Sequence, residues 1–278
     1  MTKSDIVKYK QKLSQLTNND FEKELLSASL YNLLDKGNKL RFNNFACGIR
    51  ELSRHILYNL SPDKEVMNCV WYKNDSKKPG QLTRAERVKY AIQKGLPDKF
   101  VETFYDTEEH VYDIKETLEI LNKYTHVNPD TFDIKEIEVN KLTKEVLDTF
   151  KHFANGMIEF HKLFKTELEG HIDKVVLENT IEETFDDIDI LATHHNIEEH
   201  ETSSYTIIGI DSRNIFIEAN GSLSVRLQYG SDSDLAKGDG VEMNTSFPFD
   251  CNLLVIINKD FAKSEYKTLE FNVNTDEW

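Results

Sequence analysis

The sequence predicts an α+β chain, helical to about residue 200 and closing in a small antiparallel β-sandwich or barrel. Three observations predict it. Apolar residues recur at three- and four-residue steps through the first two thirds of the chain. From about Leu142 to Ile190 the steps become those of a heptad, and after His200 the period falls to two. The expected parts are a helical domain over 1–130 with a basic face, a long helical segment over 131–200, and a β domain over 201–278.

Ile6, Tyr9, Leu13 and Leu16, then Phe21, Leu25, Leu26 and Leu30, predict helix over 5–35, with Asn19 or Asp20 capping its second part. Gly37 and Asn38 break the pattern. A stronger helix follows on Phe45, Ile49, Leu52, Ile56 and Leu60, and Ser61-Pro62-Asp63 ends it, because proline cannot continue the hydrogen-bond ladder. The polar stretch 73–81, with Pro79-Gly80, predicts a loop. Thr83 and Glu86 have the spacing of a capping box for a helix over 84–94 that stops at Gly95. Val111, Ile114, Leu118 and Leu121 mark another helix, closed by Asn128-Pro129.

In the long segment Val146, Phe150, Phe153, Met157, Phe160 and Phe164 form a heptad seam, which predicts a helix pair within one chain or between two. Short strands are expected at 205–208, 215–217, 223–227 and 253–257, with Asn220-Gly221 as a hairpin turn. Asp232, Asp234 and Gly238-Asp239-Gly240 resemble a calcium loop only loosely, since Ala236 and Lys237 stand where ligands are needed; a tight loop is expected there. His194, His195 and His200 with Asp186, Asp187, Asp189, Glu198 and Glu199 lack any metal-ligand spacing and predict a solvated linker.

Net charge is −15 over 278 residues, but between Lys36 and Lys94 thirteen Lys or Arg face five Asp or Glu, a local +8 that leaves −23 elsewhere. Such asymmetry means an anion-binding face, or parts of the chain that attract one another. No run of eighteen apolar residues could cross a bilayer, and the charged N-terminus lacks a secretory h-region, so a cytoplasmic protein with no membrane partner is expected. Cys47, Cys69 and Cys251 are expected to be reduced packing residues. Motifs for nucleotide hydrolysis, dinucleotide binding and α/β-hydrolase chemistry are absent from the sequence, and no metal or other cofactor is expected.

One basic helix carries Arg50-Glu51-Leu52-Ser53-Arg54-His55. This arginine and histidine with four residues between them resemble the pattern of HEPN ribonucleases. The resemblance implies metal-free chemistry in which His55 acts on a ribose 2′-OH and Arg50 holds the scissile phosphate. Arg50 and His55 lie about 140° apart around a helix, so a dimer would bring the two types of group together more easily than one chain. Glu51, one turn before His55, is placed to fix its tautomer. The structural alternative is a solvated helix face with His55 half buried. His126, near the end of a later helix, is a further catalytic candidate, or else a histidine facing the negative end of its helix dipole.

A wider set of motifs runs along the chain: Leu40 to Phe45, Arg50 to His55, Cys69-Val70-Trp71, Thr83-Arg84 with Arg87 and Tyr90-Ala91, Lys123 to Val127, and Thr131-Phe132. Leu227 to Asp234, Gly238 to Gly240 and Ser246 to Phe249 continue it. Together they resemble bacterial proteins described as predicted pPIWI-associating nucleases. The resemblance implies an antiphage or conflict setting and a HEPN-like helical domain. The expected function is a metal-independent endoribonuclease, with Arg50, His55, Glu51 and His126 at the reacting bond and Arg41, Arg54, Arg84, Arg87 and Lys89 holding RNA. The expected assembly is a homodimer whose β domain recognises a partner protein. The alternatives are a non-catalytic nucleic-acid-binding sensor or adaptor, and a metal-dependent DNA nuclease.

Overall fold

Asn19 and Thr83 begin helices as their side chains dictate: each carbonyl or hydroxyl oxygen accepts from the backbone amide three residues on, Glu22 or Glu86. The computed structural model describes residues 2–74, 80–182 and 186–276, and for 170, 171, 173–182, 186 and 187 the backbone alone. Part of the expected loop, 75–79, lies outside the described residues.

The helices are α1 (Lys3–Leu13), α2 (Asp20–Asn32), α3 (Arg41–Leu60), α4 (Asp63–Asn68), α5 (Arg84–Gln93), α6 (Asp98–Val101), α7 (Thr107–Thr125), α8 (Glu136–Glu182) and α9 (Asp186–Asp189). Two compact units divide the chain at Leu163/Phe164, within α8.

In the first unit α3 is the central element, its stripe of Phe42, Phe45, Ile49, Leu52 and Ile56 buried. Helix α2 approaches it closely at Gly48, where an added Cβ would stand 2.0 Å from Ser29 Oγ. Phe42 meets Tyr124 edge to face at 4.8 Å, and Asn43 Nδ2 donates to the Tyr124 carbonyl at 2.9 Å, which fixes the end of α7 against α3. Helices α7 and α8 run antiparallel: Tyr124 donates to Glu138, Thr117 to Thr149, and His110 stacks on His152. The expected helix pair is thus met within one chain. The seam residues Val146, Phe150, Phe153 and Phe160 are buried inside this unit, where Phe150 lines a small apolar cavity together with Leu13, Ile49 and Ile56.

In the second unit four strands form one antiparallel meander in the order β1 (His194–Ile210), β2 (Asn214–Tyr229), β3 (Val241–Ile256) and β4 (Glu265–Val273). The α+β class stands, while the sandwich or barrel is replaced by a single sheet that does not close. Its buried face alternates along β2 as Ile215, Ile217, Ala219, Leu223, Val225 and Leu227, opposite Phe247, Phe249, Cys251, Leu253 and Val255 of β3. Phe164, Leu168 and Ile172 of α8 are buried in the same unit, where Tyr205 donates to the Lys165 carbonyl.

Three sequence expectations are corrected here. Asn220-Gly221 is no turn: β2 runs straight through it, pairing Gly221 with Thr202 and Phe249. Glycine stands there because a Cβ would lie 2.0 Å from the Glu201 carbonyl oxygen and 2.7 Å from the Phe249 ring. The turn instead uses Asp211, whose Oδ1 accepts from the amides of Arg213 and Asn214 at 2.7 Å. His194 to His200 are not linker but the start of β1, paired with Gln228 to Leu223. The tight loop at 231–240 is a one-turn helix, α10 (Asp232–Lys237). Its capping box uses Asp234, which accepts from the Ser231 amide and hydroxyl, and Gly238 closes it at φ 81°.

Candidate active site

On the middle of α3, Arg50, Glu51, Arg54 and His55 form one connected cluster. Glu51 accepts from Arg54 Nε at 3.0 Å and from Arg50 Nη2 at 3.3 Å. These two guanidiniums, Arg54 first, hold the Glu51 carboxyl below the ordinary glutamate range. Arg54 Nη2 stands 3.1 Å from His55 Nε2. A guanidinium can only donate, so in this contact Nε2 is the acceptor and the neutral ring carries its proton on Nδ1. His55 is half-buried, its ring meeting the exposed ring of Phe21 edge to face at 5.1 Å.

Arg50 also reaches α7. Its Nη1 donates to Thr125 Oγ1 at 3.3 Å, while that hydroxyl gives its own proton to the Asn122 carbonyl at 2.8 Å. The end of α7 is therefore tied to the cluster one residue before His126, which is exposed and leaves the helix with an extended backbone. Glu51, expected to orient His55, bridges the arginines instead. A permanently charged guanidinium is a stronger partner for a carboxylate than a neutral imidazole.

The other cations expected at RNA are distributed differently. Arg41 is buried and paired with Glu136 at the start of α8. Arg87, 3% exposed, donates to the Ser61 carbonyl and to Asp63, each at 2.6 Å, and covers the Tyr58 ring at 3.7 Å. Lys89 pairs with Asp98 at 2.9 Å and with Glu108 at 3.4 Å. Arg84, first residue of α5, is exposed. Lys36 and Lys39 pair with Glu136 and Asp133, so part of the basic excess is neutralised within its own unit. Net positive charge remains at the α3 cluster, where two guanidiniums share one carboxylate.

Two family models match the chain, both described as predicted pPIWI-associating nuclease, one over residues 13–150 and the other over 157–278. The chain belongs to the predicted pPIWI-associating nucleases. No curated protein and no solved structure gives a match. In this predicted pPIWI-associating nuclease the α3 cluster lies within the first matched segment, and the whole four-stranded sheet within the second. No described helix is long and apolar enough to cross a membrane.

Two pairings in this nuclease-family chain were not legible in the sequence. Thr125 becomes a partner of Arg50 only because α7 packs on α3, and a lone threonine carries no signal of its own. Among the described residues, Glu109, Asp113 and His152 are a group that could hold a metal ion. The pair Glu109 and Asp113 has helical i, i+4 spacing, but His152 comes from a different helix.

Proposed function

We propose that this chain is a HEPN-like endoribonuclease of a bacterial antiphage system, acting in the cytoplasm on the α3 cluster. The observation that supports it is the join of Arg50, Glu51, Arg54 and His55 on one partly exposed helix face, with the imidazole half-buried. The substrate supplies its own nucleophile. His55 takes the proton of a ribose 2′-OH, the 2′-oxygen attacks phosphorus, and the bond to the 5′-oxygen breaks as water gives that oxygen a proton, the imidazolium then returning its own to solvent. The products are a 2′,3′-cyclic phosphate and a 5′-hydroxyl end. Arg50 and Arg54 offset the charge that develops on the phosphate oxygens.

In the resting state Arg54 occupies the His55 lone pair. A phosphate competes for that guanidinium as a charged, bidentate acceptor, and drawing Arg54 away frees Nε2 to act as base. A second copy that brings its own Arg50 toward His55 would complete the arrangement, which is the role proposed for a homodimer. The β domain would recognise a partner protein.

The same Arg54–His55 contact supports a second reading, a nucleic-acid-binding adaptor without turnover, if the lone pair stays covered. Purified protein incubated with RNA separates the two. The enzyme generates 2′,3′-cyclic phosphate ends, and His55→Ala lowers cleavage by about 10²–10⁴-fold with an unchanged circular dichroism spectrum. Retained RNA without products, or unchanged cleavage by a folded His55→Ala variant, rejects the enzymatic reading.

A further inference from the structure

At the opposite end of α7 from Arg50, three potential ligands converge. Glu109 and Asp113 stand one turn apart on one face of α7, and His152 faces them from α8. One ligand atom from each lies within 4.8 Å of the others. His152 Nε2 and Glu109 Oε1 are 3.8 Å apart, too far for a hydrogen bond. Two donors on one ion at bonds of about 2.1 Å stand roughly 3.0–4.2 Å apart, so this separation fits two ligands of a shared cation. The remaining gap closes by a few tenths of an ångström, which side chains as exposed as Glu109 and His152 can supply.

A buried histidine supports the His152 ring. His110, 3% exposed, stacks on His152 with ring centroids 4.4 Å apart. Its Nε2 lies 2.7 Å from the Tyr105 hydroxyl, which donates its proton to the Gly156 carbonyl at 3.0 Å. Nε2 is then the donor, and the buried Nδ1, which has no partner, is a bare lone pair. The stacked His110 ring thus backs His152, while the two carboxylates and the His152 imidazole converge in front of it. Like charges at i, i+4 repel unless something positive stands between them.

We propose that Glu109, Asp113 and His152 bind a divalent first-row transition-metal ion. One imidazole and two carboxylates suit Mn²⁺ or Zn²⁺, whereas Mg²⁺ and Ca²⁺ prefer oxygen ligands alone. Three protein ligands leave positions for water. Asp113 precedes Thr125 by twelve residues, about 18 Å along α7, so this site is separate from the α3 cluster. The ion pins the first turns of α7 to α8.

Isothermal titration of the EDTA-treated full chain tests this with Mn²⁺ and Zn²⁺, and with Mg²⁺ as comparison. The expected result is one transition-metal ion per chain, an affinity for Mg²⁺ at least tenfold weaker, and a melting temperature raised by saturating Mn²⁺. Asp113→Asn and His152→Gln should each weaken Mn²⁺ binding about 10–100-fold, while Glu119→Gln, exposed on a different face of α7, leaves it unchanged. Metal-free melts show whether the variants fold, and the mild Asp113→Asn change keeps the test open should His152→Gln not. Absence of saturable binding at millimolar Mn²⁺ and Zn²⁺, or equal affinity in folded variants, overturns the proposal.

Discussion

Arg54 holds His55 and Glu51 at once, through Nη2 at 3.1 Å from the imidazole and Nε at 3.0 Å from the carboxylate. The residue adjacent to the histidine, and not Arg50, is therefore the guanidinium that contacts the proposed base within one chain. Replacing it would remove the proposed phosphate contact and uncover Nε2 together. Arg54→Ala should weaken RNA binding and lower the slope of log affinity against log salt by about 0.7–0.9. Fluorescence anisotropy at several salt concentrations measures this, and an unchanged slope would mean that Arg54 does not meet the phosphate.

Arg41 behaves as a structural cation. Its hydrogen bond holds the Glu136 carboxyl below the ordinary glutamate range. A depressed carboxyl adds stability above its unfolded pKa and loses it as pH falls through the folded value. Arg41→Ala should cost about 2 kcal/mol at pH 7, moderated because Glu136 keeps solvent contact. The difference from the wild type should shrink below roughly pH 4.5. Urea melts across pH check both, and a pH-independent difference would remove Glu136 from the explanation.

Lys94 is in an unfavourable place. Its backbone sits at φ 53°, ψ −135°, a region that suits glycine, and burial lowers the pKa of its ammonium. Its carbonyl accepts from the Trp71 indole at 2.8 Å, a bond that any residue keeps. Lys94→Gly relieves the backbone and removes the partly buried cation, at the loss of a contact over the Tyr90 ring. We expect a net gain of about 1 kcal/mol, read as a higher melting temperature; a lower one would show that the cation–ring contact dominates.

Gly221→Ala should destabilise the sheet by about 1–3 kcal/mol, because the new methyl group must displace the Glu201 carbonyl and the Phe249 ring. Chemical denaturation measures it. A neutral outcome would imply that β1 and β3 separate at this point without cost.

Much of the helical half was legible because its signals are local. Asn19 and the Thr83/Glu86 box cap the helices expected of them, and the stripe Phe45, Ile49, Leu52 and Ile56 is buried as its period requires. The heptad of α8 was legible as a seam but not as to partner, since the period marks an apolar face without saying what covers it. At Asn220-Gly221 a strong turn signal was overridden: the alternation of Ile217, Ala219, Leu223 and Val225 continues on one face across it, and the neighbouring backbone and ring need the space of a missing side chain.

By itself the sequence determined the α+β class, the positions of most helices, and the placing of Arg50, Glu51, Arg54 and His55 on one helix, because each depends on residues within a few turns of one another. Only the tertiary structure decided which cations are spent on internal partners, as Arg41 is on Glu136 and Arg87 on Asp63. It alone joined Arg50 to Thr125 and brought His152 to Glu109 and Asp113. Those pairings cross tens of residues, and a side chain's charge does not specify which distant group chain packing will bring within reach.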